Sequence, residues 1–204
     1  MINEEQMTPK QRQIVQAAIE LISEKGYAAT STSEIAKRAG VAEGTIFRHY
    51  KTKQDLLFAI VHPVIIQSLA PVFADQFVDE VFRKSHPSAE DFLFHFIQNR
   101  FEFVKQNLPV IKIVLQELAF QPEIQSTYKR TFMEKVYPAM NRTLEHLKAT
   151  GEFRDLDNEQ IIRLVAPTIM GFLMTRFIIQ PNKTWNDTEE IKTTVTYIMQ
   201  GLKP

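Results

Sequence analysis

The chain has 204 residues, with 24 Lys and Arg against 24 Asp and Glu, no cysteine and 44% hydrophobic residues, so its formal net charge at pH 7 is zero. That length buries enough surface to fold without staples, and the absence of cysteine excludes disulfides and cysteine-built zinc or iron–sulfur sites. A charged fraction of 24% with 10% aromatics is globular rather than disordered, while zero net charge by itself argues against a polyanionic partner. The start, Met1 to Glu5, lacks the basic residues and apolar run of a secretory signal, so a cytoplasmic protein is expected. Its most apolar stretch, 161–180, carries Arg163, Pro167 and Arg176 and reads as a buried helix, so no membrane partner is expected.

Only six glycines occur, and no stretch alternates β-branched residues around a hairpin turn, so the fold class is all-α with about nine helices. Thr8, Pro9 and Gln11 supply a cap, a first-turn proline and a capping-box partner. Apolar residues at Ile14, Ala17, Ala18, Leu21 and Ile22 then keep helical period up to Gly26, predicting a helix over 9–25. Ser31 to Glu34 is a second capping box, and the helix it opens stops after two turns at Gly40. A tight turn leads into a second short helix over 43–50, and a further element starts at Lys51 to Lys53. Two short helices about a glycine turn, braced by a third, are the arrangement of a helix-turn-helix, with Ile35, Ala36, Ala39, Val41, Ile46 and Tyr50 as its core.

Beyond it, helices are expected near 54–83, 88–106, 109–119, 123–149, 158–180 and 187–201, with breaks at Pro63, Pro71, Pro87, Pro109, Pro122, Gly151 and Pro181. Asp157 with Gln160, and Asp187 with Glu190, read as the start signals of the last two. The division is a helix-turn-helix domain over 1–54 and a larger helical domain over 55–204.

Charge counted by segment changes the picture. Residues 25–53 hold Lys25, Lys37, Arg38, Arg48, Lys51 and Lys53 against Glu34 and Glu43, a local +4, and the flanks sum to −2 each. Basic side chains gathered around two short helices can neutralise phosphates and release counterions, although a solvated basic face would show the same count. Residues 32–53, and above all the run from Gly40 and Val41 through Gly44, Thr45, Ile46, Phe47, Arg48, His49, Tyr50 and Lys51 to Lys53, closely resemble the DNA-binding region of the TetR family of bacterial transcriptional regulators. The likeness runs over about 9–61.

The resemblance implies that the second short helix enters the major groove while the first crosses the backbone. It maps DNA contacts onto Glu43, Gly44, Thr45, Phe47, Arg48, His49 and Lys53. Ser31, Thr32 and Ser33 offer hydroxyls and helix N-terminal N–H groups to a phosphate, or serve only as caps. Phe47 stands where the family often has tyrosine, Glu43 would repel a phosphate or accept from a cytosine amine, and Ala42 replaces the usual hydroxyl cap.

Thirteen of the fifteen phenylalanines lie beyond residue 63, more than a plain helical core needs. A pocket for a small, apolar effector is expected from Phe92, Phe96, Asn99, Arg100, Phe103, Gln116, Phe120, Tyr128, Met170 and Met174, against the alternative that these rings only fill the core. The last two helices are apolar enough to require a partner, and the family's dimer implies a seam of Leu164, Ile169, Phe172, Phe177, Ile191, Val195 and Ile198. No nucleophile elbow or phosphate-cradling glycine loop occurs, so no enzyme activity and no cofactor is expected. His49, His62, His86, His95 and His146 share no metal-ligand spacing, so no metal is expected either. The expected function is therefore a homodimeric repressor that binds a palindromic double-stranded DNA operator through 43–50 and is released by its effector. Activation in place of repression, or a helical small-molecule-binding or enzymatic protein that does not act on DNA, are the alternatives.

Overall fold

Helix α1 (Pro9–Lys25) begins as its sequence signals require: Thr8 Oγ1 accepts from the Gln11 N–H at 3.3 Å and Gln11 Oε1 accepts from the Thr8 N–H at 2.9 Å. The computed structural model describes residues 7–60, 77–84 and 86–204. Ser31 and Glu34 repeat the reciprocal arrangement for α2 (Thr32–Ala39) at 3.2 and 2.9 Å. Gly40, at φ 67° and ψ 31°, is left-handed there, which lets its own N–H and that of Val41 turn back to the Lys37 and Ala36 carbonyls. Helix α3 (Glu43–His49) follows with no side-chain cap, as Ala42 implies. Residues 53–60 form α4, opened by a third reciprocal box between Thr52 and Asp55 at 2.9 and 3.0 Å.

Ile14, Ala18, Ile22, Ile35, Ala36, Ile46, Tyr50, Leu56, Leu57 and Ile60 are all buried, so the helix-turn-helix has a continuous apolar core. Ala39 and Val41, expected in that core, are only half-buried.

The remaining described elements are α5 (Val78–Phe82, a π-helical turn), α6 (Ala89–Glu117), α7 (Pro122–Thr131), α8 (Tyr137–Ala149), α9 (Asn158–Met174), which a π-helical turn continues over Thr175–Ile179, and α10 (Asp187–Leu202), besides a π-helical turn between α7 and α8. The helix expected over 54–83 is seen at 53–60 and again from 77, and its middle, with Pro63, Pro71 and Phe73, lies outside the described residues. The break expected at Pro109 is a kink within one continuous α6. Asn107, at φ −117° and ψ 18°, leaves helical geometry where the proline ring crowds the carbonyl of Lys105. The single helix expected over 123–149 is split by a π-helical turn at Phe132–Val136, because Pro138 has no N–H to offer Glu134. Asp157 caps α9 through the Glu159 N–H rather than with Gln160. Asn186, not Asp187, caps α10. Every regular element among the described residues is helical.

The described residues divide into two compact units, one of 7–60 with Asn107–Phe132, the other of 77–106 with Met133–Pro204. In the first, α1, α2 and α3 pack mutually. In the second, α9 packs on both α10 and α8, and α8 also meets α5.

Candidate nucleic-acid interface

The buried side of α3 is Ile46 and the α3 cap residue Tyr50, which leaves Glu43, Gly44, Phe47, Arg48 and His49 exposed on one short helix. Phe47 is 47% exposed, a large apolar ring held in water where a groove-reading helix can use it against sugar or a thymine methyl. Nothing lies within 4 Å of where a side chain on Gly44 would begin, so that position allows close approach of another body. Thr45 is half-buried.

The six basic side chains of 25–53 separate into two groups. Lys25 is paired with Glu34 at 2.5 Å, Arg38 with Glu20 at 3.0 Å, and Lys53 donates to the Tyr27 carbonyl while lying 4.2 Å over the Tyr27 ring. Lys37, Arg48 and Lys51 are exposed and make no hydrogen bond or ion pair among the described residues. The positive charge that faces solvent unspent is therefore on α2, on α3 and in the turn after it. Lys37 and Lys51 were absent from the sequence-expected contacts, and the one signal for them was the local charge count. Lys53 was expected at phosphate, but its ammonium is turned inward. Burial pushes its pKa below the ordinary lysine value, opposed by the charges of Glu117 and Glu34.

Glu43 does not stand alone at the head of α3. Its carboxylate accepts from the Thr32 hydroxyl, so two residues expected at DNA are tied to each other across the turn. Ser31 Oγ accepts from the Glu34 N–H, donates to the Glu34 carboxylate at 2.9 Å and shares a hydrogen with Ser33 Oγ at 3.0 Å. The Lys25 ammonium and the Ser31 donors hold Glu34 down to a pKa of about 2.

The residues expected to bind an effector are shared between the two units. Phe92, Phe96, Asn99, Arg100 and Phe103 fall in the second unit with Phe77 and Phe82, whereas Gln116, Phe120 and Tyr128 fall in the first. Within the second unit the rings meet edge to face, Phe77 on Phe82 at 5.3 Å and on Phe96 at 5.6 Å. The Arg100 guanidinium lies 3.7 Å over the Phe77 ring and 5.1 Å from that of Phe103, and donates to Asn99 Oδ1. Asn99 in turn donates to Glu80 at 2.8 Å. Burial pushes Arg100 down to about 10, against the pull of Glu80. Phe120 at 78%, Met170 at 47% and Gln116 are exposed, which is a surface and not an enclosed lining. Met174 is half-buried.

Ile169, Phe177, Ile191, Val195 and Ile198 are already buried within the single chain, where α9 and α10 pack together, and Phe172 stacks on Phe101 at 6.2 Å. Leu164 remains outside with Met170, Ile179 and Tyr197. Asn158–Ile179 is long and apolar enough to cross a membrane by length and composition, and only 17% of its most apolar window is buried.

Residues 14–60 match the family described as bacterial regulatory proteins, tetR family. A 55-residue stretch is 49% identical to the fatty acid metabolism regulator protein of Bacillus subtilis, covering 27% of this chain and 28% of that protein. The chain thus spans about a quarter of that relative's length in sequence. Over the whole chain the likeness is one of fold. The transcriptional regulator FadR of Bacillus subtilis, solved in complex with stearoyl-CoA, superposes at a TM-score of 0.70 with 22% identity, covering 93% of this chain and 98% of its own. The ketosteroid transcriptional regulator KstR2 of Mycobacterium tuberculosis superposes at 0.72 with 17% identity over 98% and 97%.

Proposed function

We propose that the chain, whose residues 14–60 match the tetR family of bacterial regulatory proteins, is a homodimeric, cytoplasmic transcriptional repressor, not an enzyme, that binds a palindromic operator through α3. The observation that carries this reading is the set of exposed, unpaired cations Lys37, Arg48 and Lys51 flanking the exposed Phe47 on and beside one short helix. Arg48 is the side chain suited to a guanine edge or a phosphate, while Lys37 and Lys51 supply sequence-independent attraction. Glu43, held by Thr32, acts chiefly as a strut at the head of α3 and a filter against misplaced phosphate. Lys53 positions α4 against the turn at Tyr27 rather than meeting DNA in the free protein.

The effector is a small, largely apolar molecule received by the phenylalanines of the second unit, with Arg100 and Asn99 available to orient a polar or anionic end. The solved relative with bound stearoyl-CoA supports a ligand of acyl type in this fold. The ligand acts by favouring the conformation that binds operator less well, which demands unequal affinity for the two states. The exposed apolar side of α9, the π-helical turn that continues it and α10, at Leu164, Met170, Ile179 and Tyr197, is read as the dimer seam rather than a membrane span. Footprinting on the DNA upstream of its own gene and its neighbours tests the reading. Protection of two symmetric half-sites about one helical turn apart, lost on adding an acyl-CoA, supports it, and no protected region at any of these loci contradicts it.

A further inference from the structure

His86, Asp91 and His95 follow no metal motif in sequence, yet the fold gathers them until their donor atoms lie within 4.8 Å of one another. Asp91 and His95 share one face of α6 at a spacing of four residues, and His86 comes from the turn after α5. His86 Nδ1 lies 2.9 Å from Asp91 Oδ2; His95 Nδ1 lies 3.3 Å from the same oxygen and 2.8 Å from the Asp91 backbone carbonyl, which gives Nδ1 the hydrogen and leaves Nε2 as the nitrogen His95 offers. His86 is the most enclosed, its side chain 11% exposed, while Asp91 at 32% and His95 at 49% open the cluster to solvent.

The hydrogen-bond pattern says what the cluster lacks. His86 Nε2 lies 2.8 Å from the Val81 carbonyl, which can only accept, so Nε2 carries the hydrogen. In the neutral ring Nδ1 is then a bare lone pair, and it faces a carboxylate oxygen that also carries only lone pairs. Two acceptors 2.9 Å apart require a cation between them, either a proton or a metal ion. A ring that gives its second N–H to a backbone carbonyl is the usual setting of a metal-bound histidine, because that bond fixes tautomer and orientation.

We propose that His86, Asp91 and His95 form a two-histidine, one-carboxylate site for a first-row divalent cation of the zinc type, with positions left for water or an outside donor. Two imidazoles select such an ion over magnesium or calcium. Bound there, the ion clamps the turn after α5 to the first turns of α6. The His86 ring packs edge to face on Phe92 at 5.5 Å, and Phe92 meets Phe82 at 5.7 Å, so the clamp stands beside the aromatic cluster of the second unit.

Titrating the chelator-treated full-length protein with zinc in a calorimeter, and with cobalt while following its visible spectrum, tests this independently of DNA or effector. The expected result is one ion per chain, at micromolar affinity or tighter, with the affinity lowered at least roughly tenfold in His86→Gln and in His95→Gln. His146→Gln, on α8, leaves it unchanged. His95 is exposed, so its variant keeps the fold, and circular dichroism checks both. Absence of saturable binding, which is the result if a proton alone bridges His86 and Asp91, overturns the proposal. So does stoichiometric binding that survives in a folded His86→Gln/His95→Gln double variant.

Discussion

Glu43 carries the least expected charge on α3, and its substitution separates two roles that a phosphate-facing carboxylate can have. Its hydrogen bond from Thr32 is exposed and its place in the first turn favours the helix dipole, so Glu43→Ala costs less than about 1 kcal/mol of stability. The same change removes a negative charge from the face that presents Arg48 and Lys51, so affinity for non-specific duplex rises, as fluorescence anisotropy will show. Glu34 makes a second prediction at this scale. Its folded pKa, held at about 2 by Lys25 and Ser31, lies below the ordinary value of 4.5. The stabilisation it gives is therefore complete above pH 4.5 and is lost as pH falls toward 2. A carboxyl carbon resonance of Glu34 that titrates near 4.5 would contradict this. Lys53 shows why single residues are harder to read than elements: the sequence marks a lysine at the start of a helix, but whether it faces DNA depends on where the Tyr27 carbonyl arrives, 26 residues away.

Elements were the legible scale. Thr8 with Gln11 and Ser31 with Glu34 announce α1 and α2 because a capping box is a bond between residues three apart, written wholly in local sequence. Ser31→Ala accordingly lowers unfolding free energy by about 1 kcal/mol in a urea titration, since the Glu34 N–H loses its acceptor and the Glu34 carboxylate one donor, while the N–H of residue 31 keeps its bond to that carboxylate. The kink at Asn107 was legible only as a break at Pro109, because a proline forbids one bond without fixing where the chain will bend. The π-helical turn at Phe132–Val136 was missed altogether, its cause being a proline that lies just inside the next helix. The cluster of His86, Asp91 and His95 escaped for another reason. Its members are near in sequence, but the Val81 carbonyl that fixes the His86 tautomer is placed by the α5 turn and cannot be read from spacing.

At the scale of the molecule, zero net charge concealed the feature that matters. The +4 of 25–53 is itself partly spent within the fold on Glu34 and Glu20, and what remains free is concentrated at Lys37, Arg48 and Lys51. The apolar pattern of the last two helices reads as needing cover, and most of the residues named for a dimer are buried inside one chain, where α9 packs on α10. The large apolar side chains that stay exposed there are Leu164, Met170, Ile179 and Tyr197, and the proposed dimer would cover them. Leu164→Glu with Tyr197→Glu therefore shifts the protein to monomer in light scattering while leaving its helical content intact, because both side chains are already in water in the single chain. The account as a whole rests on α3 meeting DNA, and anisotropy of the full-length protein on a duplex drawn from its own upstream region, measured across a salt series, tests that most directly. The prediction is binding that weakens steeply with salt, with Arg48→Ala/Lys51→Ala losing at least roughly tenfold in affinity and showing a salt slope shallower by about 1 to 2. No binding at low salt, or a double variant that binds as the native protein does, would contradict it.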